Sequence, residues 1–175
     1  LCTGVCTIAA MNDMATPSVS LEGKNLWLAQ SLPVTPWQVL RAKLKVQLAL
    51  TAIPALVPLV CMAFVLPLTP ALPLIFVTAL SYIVFSACLG LTLGVMRANL
   101  TWTNELAPVK QSLAVAIAMF GGWAYALLLA GLYLLLGWRI GAAVYLALVS
   151  AATIAAALAL LKWLKTKGAQ RLATL

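Results

Sequence analysis

The sequence predicts an all-α fold: a polytopic helical membrane bundle with four full transmembrane helices and, ahead of them, the end of a truncated N-terminal helix. Three observations carry this. Four apolar runs, Val46 to Leu66, Leu72 to Met96, Leu113 to Leu136 and Ile140 to Leu161, are each near the roughly 20 residues that a helix needs to cross hydrocarbon. Apolar residues make up 65% of the chain and charged residues 8%, with a mean hydropathy of +1.09, far from the roughly 25% charged content of globular domains. The charges fall between the runs. With no water in hydrocarbon, every backbone amide must be bonded internally, and no ten-residue alternation of the kind a barrel requires is present.

Residues 1–14 begin with an apolar stretch, Leu1 to Met11, that is too short to span. It reads as the end of a severed transmembrane helix, which makes the chain the C-terminal part of a longer polytopic protein. A signal peptide is the alternative, but it needs a basic start, and no Lys or Arg precedes Lys24. Residues 15–45 mix polar residues, Pro33, Pro36 and two tryptophans, and are expected along the cytoplasmic interface. There Leu26, Trp27, Leu28 and Leu32 form a short amphipathic element at headgroup level. Thr35-Pro36-Trp37-Gln38 has the form of a capping box with Pro at the first helical position, and predicts a helix start near Thr35.

Residues 46–161 form the four-helix transmembrane region. In its first run Pro54 and Pro58 each remove a backbone hydrogen bond, which predicts kinks; one reading is a hinge or pathway lining, the other the ordinary abundance of Pro in membrane helices. Pro67, Pro70 and Pro73 break the chain into a tight hairpin. Gly90 and Gly94 in the second run form a Gly-x-x-x-Gly pair, and Ala151, Ala155 and Ala159 make a similar stripe in the last; both read as packing faces, for the bundle or for a dimer. Gly121-Gly122 beside Trp123 and Tyr125 reads as close packing. Residues 162–175 are a basic tail.

Orientation follows from Lys and Arg, which accumulate on the cytoplasmic side of membrane helices. Lys24, Arg41, Lys43 and Lys45 precede the first run, Arg97 and Lys110 separate the second and third, and Lys162, Lys165, Lys167 and Arg171 follow the last. All of these fall on one side, and only Arg139, in the Gly137 to Arg139 turn, falls opposite. The sequence therefore predicts a multi-pass protein of the cell membrane with a cytoplasmic C-terminus. The net charge of +8 reflects basic residues dispersed at helix ends rather than gathered on a module with base-stacking aromatics. It is read as topology and attraction to anionic membrane lipid, and not as nucleic-acid binding.

The residue inventory excludes much chemistry. The chain has no histidine, and its acids, Asp13, Glu22 and Glu105, lie outside the four runs. A Ser-His-Asp triad is impossible, no carboxylate pair is evident, and an intramembrane carboxylate relay has no candidate. Cys2 and Cys6 share a helical face, yet Cys61 and Cys88 lie in different runs and no further thiolate or imidazole completes a metal set. Gly23-Lys24 looks like the end of a phosphate-binding loop, but Ser18 stands where the leading Gly belongs and Asn25 where a Ser or Thr would hold magnesium. No catalytic, cofactor or metal residues are expected in this chain.

Two polar segments are richer than topology requires. The first is Ser20-Leu21-Glu22-Gly23-Lys24-Asn25-Leu26-Trp27 with Ser31-Leu32-Pro33-Val34; the second is Trp102-Thr103-Asn104-Glu105 with Val109-Lys110-Gln111. They resemble segments of the ABC-2-like permeases, membrane subunits of bacterial ABC exporters, in which an SLEGKNLW…SLPV stretch precedes one pair of spans and a WTNE…VKQS stretch precedes another. The resemblance runs from about Ser20 to the end. It implies a membrane path of an exporter that works as a dimer of permeases, with ATP bound on a separate ABC ATPase subunit that docks on cytoplasmic loops. Carried onto this sequence, the candidate ATPase-docking residues are Glu22, Lys24 and Trp27 in the first segment and Asn104, Glu105, Lys110 and Gln111 in the second. In the second segment Asn104 is also a plausible helix cap with Glu105 in the first turn, so capping alone is the competing reading. A non-transporting membrane scaffold or assembly protein is the competing function.

The charge distribution predicts that Lys45, Asn104 and Lys167 face the cytoplasm while Thr69 and Arg139 face outward. Single cysteines at these positions, in a background without the four native ones, should react with an impermeant maleimide in intact cells only at 69 and 139. Labelling at 104 with protection at 69 would invert the topology.

Overall fold

A computed structural model describes residues 2–23, 31, 33–65, 71–100, 102 and 112–174. Helix α1 (Cys2–Met11) is followed after a three-residue break by α2 (Ala15–Ser20), and then by α3 (Pro36–Val65) and α4 (Ala71–Met96). Helix α5 (Leu113–Leu132) runs through a π-helical turn (Tyr133–Gly137) into the short α6 (Trp138–Ile140). Helix α7 (Ala142–Trp163) runs through a second π-helical turn (Leu164–Gly168) into α8 (Ala169–Ala173). No strand occurs among the described residues.

Among the described residues four segments are long and apolar enough to cross a membrane: Pro36–Val65, Leu72–Met96, Leu113–Leu135 and Ala142–Ala173. The chain is a multi-pass, all-helical membrane protein. Its helices are apolar nearly all round, as they must be where the outer face meets lipid and not water. Phe64, Leu134 and Ile53 are accordingly exposed on the outside of the bundle.

Helix α3 begins as its sequence dictates. Thr35 N–H donates to Gln38 Oε1 at 2.8 Å and Gln38 N–H to Thr35 Oγ1 at 3.4 Å, the reciprocal pair of a capping box. Its buried residues, Leu40, Leu44, Gln47, Thr51, Ala55 and Leu59, recur every three or four positions and so make one narrow stripe. Pro54 and Pro58 lie within this helix, which continues past both.

Helix α4 is the hub. Half of its span is buried, against 17% for α3, 22% for the α5 segment and 17% for the α7 segment, and it packs against α1, α2, α3, α5 and α7. The buried apolar residues fall into two clusters along it. One joins Ala15, Val19, Leu40, Leu44, Leu91, Val95, Leu164 and Leu172 at the basic end. The other joins Val5, Cys6, Ala9, Ala55, Leu59, Tyr82 and Ala126 toward the opposite end. Tyr82 donates its hydroxyl to Gly122 O at 2.9 Å, and Tyr125 shares a hydrogen bond of 2.7 Å with Thr153 Oγ1, so buried hydroxyls on α4 and α5 are satisfied across helices.

Four details differ from what the sequence suggests. First, α1 and α2 line up along α4 from the level of Tyr82 to that of Val95, and together form an interrupted fifth segment inside the bundle. Ala15, Thr16, Val19 and Ser20 are buried, whereas the mixed composition after Ala15 suggests a surface element. Second, the turn before the last span lies at Gly141 and not at Gly137 to Arg139. Residues Trp138–Ile140 stay helical, and Gly141 takes φ +88°, a conformation open to glycine at little cost. Third, the basic tail is a helical continuation of α7, held down by Leu164 and Leu172 and by Arg171, whose guanidinium donates to Met96 O at 3.2 Å. Fourth, Ala151, Ala155 and Ala159 are exposed; α7 buries Ser150, Thr153 and Ala157 instead.

The Gly-x-x-x-Gly pair packs within the chain. A Cβ on Gly94 would lie 2.4 Å from Thr16 O, and one on Gly90 would lie 2.5 Å from Asp13 Oδ1, so α2 approaches α4 only because both side chains are absent. Gly122 similarly admits Ala10 of α1, 2.8 Å from where its Cβ would stand, whereas Gly121 faces open space. Gly94→Ala should therefore lower stability by about 1–3 kcal/mol despite its better helix propensity, because the obstacle is backbone. Gly121→Ala should be neutral or slightly stabilising. Reversible unfolding in mixed micelles measures both, and equal stability of the two variants would refute this docking.

Candidate functional site

Two groups of polar residues stand out, one at the basic end of the bundle and one inside it. At the basic end, α2 delivers Ser20 to the chain leaving α4. Ser20 Oγ accepts from Asn99 N–H at 3.1 Å, and Ser20 O accepts from the Trp102 indole N–H at 2.6 Å. The indole covers Gly23, whose φ of +45° favours glycine and whose Cβ would lie 2.8 Å from Trp102 Cζ2. From α3, Lys43 donates to Ser18 O at 2.8 Å and pairs with Glu22 Oε1 at 2.7 Å. With Lys43 only 14% and Glu22 26% exposed, this ion pair braces the loop from within more than it displays charge.

The first residues of the two polar segments thus meet, through Ser20, Gly23 and Trp102. Of the candidate docking residues, Glu22 is placed, engaged with Lys43. Lys24, Trp27, Asn104, Glu105, Lys110 and Gln111 lie outside the described residues.

The inner group surrounds the break between α1 and α2. Three residues, Asn12 to Met14, leave helical geometry there, and their backbone groups need partners. Gln47 serves two of them: its Nε2 donates to Asn12 O at 2.6 Å, and also to Thr51 Oγ1 at 2.8 Å, while its Oε1 accepts from Met14 N–H at 2.9 Å. Thr51 Oγ1 reaches Asn12 O at 3.4 Å. The Asp13 carboxylate accepts from Thr16 N–H at 3.2 Å and from the Thr16 hydroxyl, tying down the start of α2.

The exchange also runs the other way. Pro54 has no N–H to give the carbonyl four residues earlier, Leu50 O, and Asn12 Nδ2 donates to that oxygen at 2.9 Å. The proline's defect in α3 and the break in the first segment are therefore complementary.

This inner group sets a carboxylate against one of the spans. Asp13 lies outside the four apolar runs, yet it is half-buried against Gly90, six residues inside the end of the α4 span, about 9 Å of helical rise. The signal was present as Asn12-Asp13 closing an apolar stretch, with Gln47 and Thr51 one turn apart at the start of the next run. What sequence alone could not supply was that these two places touch.

A third feature is a cleft of about 400 Å³ between α1, α4, α5 and α7, lined by Cys2, Cys6, Thr78, Ala126, Tyr133 and Tyr145 among others. The Thr78 and Tyr145 hydroxyls donate to Leu74 O and Leu129 O, so the cleft presents an essentially apolar wall. Among the described residues no three His, Cys, Asp or Glu side chains gather as metal ligands.

A double-mutant cycle tests the exchange at Leu50 O. Asn12→Ala should cost about 1–3 kcal/mol in the native background, as expected for an acceptor left without a partner on a face that meets lipid. It should cost clearly less beside Pro54→Ala, whose restored N–H can serve the same oxygen. Equal costs in both backgrounds would show that Asn12 does not serve it.

Compared with known proteins, the chain matches no family model, no curated protein and no solved structure, so its site is described from its own geometry alone.

Proposed function

We propose that this chain is part of a membrane-spanning permease of an ABC-type exporter, set in the cell membrane with its basic end and C-terminus in the cytoplasm, and driven by a separate ATPase that docks at that end. The observation that supports this reading most is the meeting of the two polar segments through Trp102, Ser20 and Gly23. A docking surface for a cyclically moving partner needs loops fixed to rigid helices. Here α2, α3 and α4 all hold the loops, through Val19, Lys43 and Asn99. The phosphate-loop pattern is broken at Ser18 and Asn25, which fits a chain that leaves ATP to its partner.

In this reading the charge of Glu22 is spent largely on Lys43, so its role is to shape the first loop. Direct engagement then falls to the remaining segment residues, Lys24 and Trp27 on one side and Asn104, Glu105, Lys110 and Gln111 on the other. A dimer of permeases completes the export path.

The full-length protein, isolated in mild detergent, should co-purify with a soluble subunit carrying a phosphate-binding loop. Glu22→Ala and Glu105→Ala should each lower transport-coupled ATPase activity roughly fivefold, the effect of about 1 kcal/mol at a docking surface, without loss of membrane insertion. Wild-type coupling in both variants would return these loops to helix capping alone. Repeated isolation without an ATPase, together with no ATP-dependent flux in vesicles, would favour the scaffold or assembly role.

A further inference from the structure

Asp13 is held where a permanent negative charge is costly. Along the first segment it lies between Ala10 of one apolar cluster and Ala15 of the other, and its carboxylate faces Gly90 and Thr16. Among the described residues no Lys or Arg comes within ion-pair distance of it. Among the described residues the groups placed around it are Gly90 of α4 and Thr16 of α2, with Gln47 and Thr51 of α3 on the neighbouring backbone of Asn12 and Met14, and none of these ionises. Of the cations on α3, Lys43 is turned to Ser18 O and Glu22, and Arg41 and Lys45 are exposed.

We propose that Asp13 is a proton-binding site of the bundle, loaded and unloaded at the break between α1 and α2. A carboxylate in a membrane interior without a countercharge requires a compensating cation for part of the time. The geometry favours a proton over an alkali ion. An alkali ion needs a shell of several oxygens, and the nearby carbonyls of Asn12 and Leu50 already accept from Gln47 and Asn12 side chains. Both oxygens of the carboxylate are likewise engaged, each by a donor on Thr16.

Protonation also has a mechanical consequence. The ionised carboxylate accepts two hydrogen bonds from Thr16, and adding a proton weakens both. Those bonds secure the first turn of α2, whose other end carries Ser20 into the contact with Asn99 and Trp102. The six-residue α2 therefore links the charge state of Asp13 to the loops at the basic end. The inference stands whether or not an ATPase docks there.

Infrared difference spectroscopy of the full chain in lipid nanodiscs, titrated from mildly alkaline to mildly acidic pH, tests it. The chain has three side-chain carboxyls, Asp13, Glu22 and Glu105, which makes assignment direct. A carbonyl stretch of a protonated acid should grow in on acidification, persist in Glu22→Gln and Glu105→Gln, and be lost in Asp13→Asn. Thr16→Val, which keeps the acid and removes one donor to its charged form, should move the midpoint to higher pH by about one unit. The proposal is overturned if the band survives in Asp13→Asn, if no band titrates in the native chain, or if Thr16→Val leaves the midpoint in place. It is also overturned if sodium at constant pH abolishes the band, because the site would then be an alkali-ion site.

Discussion

The amide of Gln47 is the interaction on which the rest of the bundle depends. A helix that breaks inside a membrane protein exposes backbone groups that lipid cannot satisfy. Gln47 answers at both sides of the break, accepting from Met14 N–H and donating to Asn12 O. With that break held, α1 and α2 both stay packed on α4.

Everything around this point is arranged by the same constraint. Gly90 and Gly94 lack side chains because the broken segment brings the Asp13 carboxylate and the Thr16 carbonyl against α4. Pro54 is tolerated within α3 because the exposed Leu50 carbonyl finds the Asn12 amide. Each irregularity, harmful alone, becomes the partner of another. The polar group so formed touches α4 at Gly90, about 9 Å inside one end of that helix, among the apolar residues Ala87, Cys88 and Leu91.

This polar group connects to the basic end through α2. The segment is short enough that its two ends answer to each other, with Asp13 and Thr16 at one and Ser20 at the other. The Lys43–Glu22 pair and the Trp102 indole hold that outer end against α3 and the exit from α4. The Asp13 carboxyl and the loops at the basic end are thereby joined by one short helix.

Apolar run length and charge placement determined by themselves that the chain is helical and multi-pass, because crossing hydrocarbon imposes a length and internal backbone bonding on any sequence. Local chemistry determined the start of α3 as well, since a capping box acts over four residues. Only the tertiary structure decided that the short apolar stretch before Met11 and the buried residues after Asp13 form one broken segment, and that the basic tail folds back on Leu40 and Val95. It likewise turned Gly90 and Gly94 inward while leaving Ala151, Ala155 and Ala159 outside. The reason is that periodicity within a helix tells which residues share a face, but in lipid nearly every face is apolar. Which face is buried is then set by contacts between residues far apart in the chain, such as Asn12 with Leu50 and Ser20 with Trp102.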